Sequence, residues 1–531
     1  MESRTFHNPV LPGFYPDPSV CRVDEDFYLV TSSFDYFPGV PLFHSRDLVN
    51  WRQLGHVLDR PSQLNLANSL PSQGIFAPTI RHHDGVFYMV TTRREQIGDT
   101  FADLNFVVTA TDPAGDWSEL HILEEEPGII DPSLFFDDDG RAWYTANRRV
   151  DDPPYEGYRE IWLQQFDYHC MSLVGERFAL WSGALKDAGT PEAPHIYKVD
   201  GTYYLLIAEG GTYHHHAITI ARADSITGPY EGNPGNPILT HRHLDPDQHP
   251  ITNPGHGDMV ETAAGEWWMV VLASRPYGGY FYNLGRETFL VPVLWRDGWP
   301  LVSPSSGRVE FEHLMPALPQ HPWPQVPTCD HFDNTELAAC WNFIGSPGER
   351  FWSLEERPGH LRLKLLPVTL QDVAHPAFIG RRQQHIDFEV RVKVEFEPGN
   401  SAEAAGLALR QSSDYYYTFV LMATVDGETE ICLMRRDARN SDGEEKIAGR
   451  AVVGSVHYLK VEAHGQGYGF FYAETDGDWD AVARGVDGRI LSTPVAGGFV
   501  GAYIGMYATS DGDTIDRGYA DFDYFGYKPL R

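Results

Sequence analysis

Three acidic residues far apart in the chain share one local setting. Asp17 opens Asp17-Pro18-Ser19-Val20, Asp131 opens Asp131-Pro132-Ser133-Leu134, and Glu192 opens Glu192-Ala193-Pro194-His195-Ile196. A fourth, Asp258 in Gly257-Asp258-Met259-Val260, stands near the same register, whereas Ala77-Pro78-Thr79-Ile80 begins with alanine. Asp-Pro is a common turn opener, so no one of these residues is distinctive by itself, and their recurrence in one setting is the signal. Carboxyl groups gathered from separate segments can divide acid–base work. One, kept protonated, passes a proton to a leaving oxygen, and another, ionised, activates water or attacks carbon. Crowding like charges raises the pKa of one member and keeps it protonated near neutral pH. Glu192 is displaced by one residue from the Asp-Pro register, so its side chain is expected to project differently, as an acid and a base on opposite faces of a substrate require.

Such groups need a repeated scaffold, and residues 1–305 contain one. Each copy has a polar or acidic residue near a proline, a short apolar strand, a tight turn, and a strand with paired aromatics. The aromatic strands are Phe27-Tyr28-Leu29-Val30, Phe87-Tyr88-Met89-Val90, Trp143-Tyr144, Tyr203-Tyr204-Leu205 and Trp267-Trp268-Met269-Val270. Asp84-Gly85, Asp139-Gly140 and Asp200-Gly201 supply hairpin turns. The copies recur every roughly 50–65 residues, the length of a four-stranded propeller blade with a long loop. Five copies predict five blades. The innermost strands line a central channel, and the residues that start them collect at one mouth, which brings Asp17, Asp131 and Glu192 together. No helical periodicity persists here, which disfavours a (β/α) barrel.

The fold class is therefore all-β, a five-bladed β-propeller over 1–305. A Pro-rich segment over 306–328, with Pro316, Pro319, Pro322 and Pro324, reads as a stiff linker. From 329 to 531 alternation returns, in Leu361-Arg362-Leu363-Lys364-Leu365 and Phe388-Glu389-Val390-Arg391-Val392, and predicts a two-sheet sandwich of the concanavalin or lectin kind.

The formal net charge of −33 repels phosphate backbones and anionic membrane surfaces, so the expected partner is a small neutral molecule, neither nucleic acid nor membrane. Self-association into a homo-oligomer is allowed. Cys21, Cys170, Cys329, Cys340 and Cys432 are odd in number and form no CxxC, which argues against a disulfide framework or a zinc site. With no apolar h-region at Met1-Glu2-Ser3-Arg4, the expectation is a cytoplasmic protein. His214-His215-His216 cannot all face one site on a strand and read as surface. His241, His243, Asp245, Asp247 and His249 alternate through what reads as a polar loop.

Further segments carry a resemblance. Asn8-Pro9-Val10-Leu11-Pro12-Gly13-Phe14-Tyr15-Pro16-Asp17-Pro18-Ser19, Asp131-Pro132-Ser133-Leu134-Phe135, Thr190-Pro191-Glu192-Ala193-Pro194-His195, Asn253-Pro254-Gly255-His256-Gly257-Asp258 and Leu284-Gly285-Arg286-Glu287-Thr288-Phe289 together resemble glycoside hydrolase family 43, and within it the two-domain β-xylosidases. The likeness spans both domains. It implies an exo-acting hydrolase that releases D-xylose from the non-reducing end of β-1,4-xylo-oligosaccharides with inversion. It further implies that Asp17 is the general base, Glu192 the general acid, and Asp131 the residue that holds Glu192 and raises its pKa. An inverting pair should stand about 6.5–9.5 Å apart to admit a water.

Arg286 is implied to bind sugar hydroxyls, with a structural salt bridge as the alternative, and His256 to lie beneath the sugar. Phe34 resembles a ring walling the pocket, and Phe76 stands where relatives commonly carry tryptophan. Tyr503 is expected as the aromatic that the sandwich inserts toward the site, the alternative being a sandwich-core residue. No cofactor is required by this chemistry; calcium near His256 is the one metal site the resemblance suggests. The rival activities are an α-L-arabinofuranosidase, alone or alongside, and a non-catalytic carbohydrate-binding propeller that would lack one of the three carboxylates. A fructan-cleaving propeller of retaining mechanism would open with an Asn-Asp-Pro-Asn-like stretch, which is not found.

Overall fold

The computed structural model describes residues 4–67, 69–98, 100–510 and 518–530. Five antiparallel blades follow one another along the chain, three of four strands and two, the second and the fourth, of five. They begin at Ser19–Val23, Thr79–His83, Ile130–Phe136, Glu192–Val199 and Thr252–Glu261. In the first blade Asp26–Val30, Gly39–Ser45 and Arg52–Leu58 add outward in order. The Asp-Gly turns fall where expected, and the paired-aromatic strands are the second strand of each blade, as in Val86–Ile97 and Trp267–Ser274. Between blades the aromatics interlock: Tyr28 meets Phe87 edge-on at 4.9 Å, and Tyr88 meets Phe136 at 5.0 Å. Such pairs contribute about 0.5–1.5 kcal/mol each beyond simple burial.

The ring is closed by the N-terminus. Asn8 donates to the Leu290 and Glu310 carbonyls and accepts from the Leu290 N–H, and Thr5–His7 pairs with Glu312–Leu314. The segment 306–328, expected as a stiff Pro-rich linker, runs as a strap across the propeller. Trp323 donates its indole N–H to Asn50, and its ring lies 3.9 Å from the Arg52 guanidinium. Proline stiffness served here to hold an extended strap against a surface.

The C-terminal domain is a sandwich of an eight-stranded and a six-stranded sheet. Its alternation is realised residue by residue: Phe388, Val390, Val392 and Val394 are fully buried between the sheets. The two domains share core. Phe37 and Ile344 lie in a two-stranded pairing of Tyr36–Phe37 with Phe343–Ile344, and Arg382 of the sandwich donates to the Phe14 carbonyl at 2.6 Å. No helix among the described residues is long and apolar enough to cross a membrane.

Candidate active site

The channel mouth holds a pocket of about 250 Å³ lined by Asp17, Asp131, Glu192, Arg286, His256, Phe34 and Phe76, among others. Pockets for drug-sized ligands run from roughly 300 to 1,000 Å³, so this one suits a single sugar unit better than a chain. The backbone that carries the acids is unusual. Asp17 and Asp131 have φ of 55°, and Ala193, the residue after Glu192, has φ of 54°. Left-handed backbone at a residue other than glycine is uncommon and clusters at functional sites. The innermost strands of the third and fourth blades also carry register shifts, between Ile130 and Ser133 and between Glu192 and His195, and such bulges re-aim side chains. In the fourth blade the left-handed residue is Ala193, so Glu192 leaves the chain one residue earlier than its counterparts. This is the displacement noted in the sequence.

Asp17 is buried and fully engaged. Its Oδ2 accepts from Ser32 Oγ at 2.6 Å, its Oδ1 accepts from Arg286 Nη1 at 2.7 Å, and His256 Nδ1 lies 3.6 Å away. Burial pushes its pKa up, but Arg286, His256 and the Ser32 hydroxyl outweigh this and hold the group below the usual carboxylate range. Glu192 keeps some surface open to the pocket, although dense protein surrounds it. Burial raises its pKa to about 7; Arg159, Arg286 and Arg94 oppose that rise and Asp17 adds to it. Asp131 accepts from the Ala193 N–H at 3.2 Å, which places it against Glu192. Burial, Glu192 and Asp17 together push Asp131 well above its ordinary value. The pocket therefore sets Asp17, held below the ordinary carboxylate range, against Glu192, raised to about 7.

The remaining expected residues divide. Arg286 directly precedes Glu287–Arg296, and Glu287 is clamped by Arg275 at 2.6 and 2.8 Å and by the Gly13 N–H at 2.7 Å. Phe34 and Phe76 wall the pocket with ring centroids 5.2 Å apart. Tyr503 does not reach it. Its ring is fully buried and stacks on Tyr36 at 3.7 Å and 9°. That strand faces the domain interface, where Tyr503 fills core, so the role expected of it falls to Phe499. Phe499 lies just beyond the short helix Thr493–Ala496, lines the pocket, and stacks on Phe34 at 5.8 Å. It is held by its own N–H to Ser72 Oγ at 2.9 Å and by its carbonyl, which accepts from Arg286 at 3.4 Å. Gly498 makes this approach feasible, because a Cβ there would sit 2.3 Å from Ser72 Oγ. Arg94 and Arg159 also line the pocket and were not singled out in the sequence.

His216, expected at the surface with its neighbours, is buried, and its Nδ1 lies 3.1 Å from the Asn253 carbonyl oxygen. His214 and His215 are exposed; only the third residue of the run turns inward, directly before the strand Ala217–Ala223. His241 is also buried, with Nδ1 2.7 Å from the Ile251 carbonyl oxygen and Nε2 accepting from the Val309 N–H.

Calcium does not suit the donors around His256. A hard cation seeks six to eight oxygens. Here the carboxylates that act on His256 are Asp17, already paired with the Arg286 cation, and Asp258, paired with Arg81, and His216 stands nearby. Deeper in the channel Arg81 supplies its own positive charge. It bridges both Asp258 oxygens at 2.8 and 3.2 Å and reaches His195 Nδ1 at 3.0 Å. Asp258 is thus a channel residue, paired below the pocket. Among the described residues no group of three or more His, Cys, Asp or Glu is arranged to hold a metal ion.

Fold and pocket together are those of a glycoside hydrolase. Residues 6–300 match the family described as glycosyl hydrolases family 43, and residues 329–528 match the beta-xylosidase C-terminal concanavalin A-like domain. The chain belongs to glycosyl hydrolase family 43. It is 44% identical over 98% of its length, and 98% of the relative's, to a xylosidase/arabinosidase of Butyrivibrio fibrisolvens. It is 38% identical to a non-reducing end alpha-L-arabinofuranosidase of Bacteroides ovatus, over 100% of this chain and 96% of that protein. The crystal structure of a xylan beta-1,4-xylosidase from Bacillus halodurans superposes with a TM-score of 0.92 at 36% identity, covering 98% of this chain and 100% of that one.

Proposed function

We propose that the protein removes single D-xylose units from the non-reducing end of β-1,4-xylo-oligosaccharides by an inverting, single-displacement hydrolysis. The observation that carries this reading is the meeting of Asp17, Asp131 and Glu192 in one small pocket, where the surroundings push Asp17 and Glu192 in opposite directions. Asp17, ionised, takes a proton from a water whose oxygen attacks the anomeric carbon. Glu192, protonated, delivers its proton to the glycosidic oxygen as the carbon–oxygen bond breaks. Asp131 holds Glu192 and raises its pKa. Arg286 orients Asp17 and offers its remaining N–H groups to sugar hydroxyls, while His256 lies under the ring.

Phe34, Phe76 and Phe499 supply apolar faces for the C–H side of a pyranose. Phe499 comes from the sandwich, and so the second domain closes the pocket and restricts it to chain ends. The chemistry described uses no metal, and the substrate is a small neutral oligosaccharide. A second activity on α-L-arabinofuranosides is favoured by one observation: two of the three similar proteins described above are named for arabinose release, one of them for xylose as well.

Digestion of xylotetraose, followed by chromatography, tests the reading. Xylose and xylotriose should appear together from the first time point. Xylobiose as the first major product would contradict exo action. Release from arabino-oligosaccharides alone would assign the chain to the second activity.

A further inference from the structure

One cation in the pocket wall has no role in the scheme above. Arg159 is 9% exposed and lines the pocket beside Asp131 and Glu192. Both of its hydrogen bonds come from Nη1, to the Gly128 carbonyl at 2.9 Å and to Asn147 Oδ1 at 3.2 Å. Its neighbours in the pocket are paired: Arg286 with Asp17 at 2.7 Å, and Arg94 with Asp103 at 2.6 Å. Among the described residues Arg159 makes no ion pair within 4.0 Å. Its anchor ties it to the acids, since Asn147 pairs with Ile130, the residue before Asp131.

A buried guanidinium without a counter-ion is costly. Here burial presses its charge down, and Glu192 and Asp131 act in the opposite direction, against Arg149 and Arg94. We propose that Arg159 is a positioning residue for the proton donor, a fixed counter-charge that acts through space on the Glu192–Asp131 pair and limits how far their crowding holds the shared proton. This rests on the assignment of Glu192 as general acid. The charged and titratable groups that line the pocket with Glu192 are Asp17 from the first blade, Arg94 from the second, Asp131 and Arg159 from the third, Tyr213 from the fourth, and Arg286 and His256 from the fifth. Asp17 favours the protonated acid and the arginines favour its anion. Arg159 leads the opposing cations and has no carboxylate of its own to screen it.

The sign follows. The acid works while protonated, so removing a nearby cation leaves it protonated to higher pH and moves the alkaline limb of the rate profile upward. An opposite charge at close range shifts a carboxyl by about 1–3 units.

The test is kcat/KM against pH on xylobiose for the wild type, Arg159→Gln, Arg159→Lys and Glu192→Gln. In Arg159→Gln the alkaline limb should rise by about one pH unit or more, and in Arg159→Lys it should stay near the wild-type position. A limb that stays put in Arg159→Gln while the rate falls would overturn the proposal and leave a structural role. Equal shifts in the Gln and Lys variants would overturn it as well. If Arg159→Gln does not fold, Asn147→Asp sets a carboxylate against the guanidinium, and the same upward shift is required of it. The control separates the two readings. If Glu192→Gln keeps the wild-type alkaline limb, the assignment of the acid itself fails. If that limb disappears in Glu192→Gln but does not move in Arg159→Gln, only the proposal for Arg159 fails.

Discussion

Replacing Asp17 with alanine should lower turnover by about 10⁴-fold on every substrate, whatever its leaving group, because the lost step is activation of the attacking water. In a single displacement the attacking water needs its base whatever group departs. The change also strips Arg286 of its partner inside a buried site, and breaking a buried pair costs about 3–5 kcal/mol, so the melting temperature should drop too. Asp17→Asn separates the two effects. It keeps the shape and can still bond Ser32 and Arg286, so it should recover stability and remain inactive. Rates within tenfold of the wild type for the Asn variant would remove Asp17 as the base.

Glu192→Ala carries the second large effect, and here the leaving group matters. On xylobiose the departing sugar alkoxide needs a proton, and kcat should fall by about 10³-fold. On an aryl xyloside with an acidic phenol the departing oxygen needs little help, and the fall should be far smaller. Equal losses on both substrates would contradict the acid role. The pH dependence has a definite sign. Glu192 must be protonated to act, and its pKa is raised to about 7. Asp17 must be ionised, and its pKa is held below the ordinary carboxylate value. The wild-type rate on xylobiose should therefore fall as pH climbs through about 7. In Glu192→Ala that limb should be gone.

The blades were legible because their signal is local. An Asp-Gly turn and an aromatic pair such as Tyr203-Tyr204 each fix a hairpin within a few residues, and repetition then dictates the ring. The three carboxylates were legible for the same reason: equivalent positions in equivalent blades must meet. Even the one-residue displacement of Glu192 was visible, and the left-handed Ala193 is its structural form.

What escaped depends on how separate surfaces dock. Tyr503 and Phe499 lie four residues apart, and nothing local says which ring reaches the pocket. The deciding contacts are Tyr36 for one and Ser72 for the other, both in the first domain. The pair Gly497-Gly498 before an aromatic was the one available hint of a close approach. Arg94 and Arg159 were hidden because they come from second strands and loops, where arginine ordinarily faces water. His216 was hidden because a run of three histidines does not reveal which member turns inward.

The central claim is a single displacement with Asp17 and Glu192 on opposite faces of the sugar. The most direct measurement is proton NMR of xylobiose digestion, read before mutarotation mixes the anomers. The account predicts α-xylose as the first anomer released. Early β-xylose would mean retention through a covalent intermediate and would contradict it.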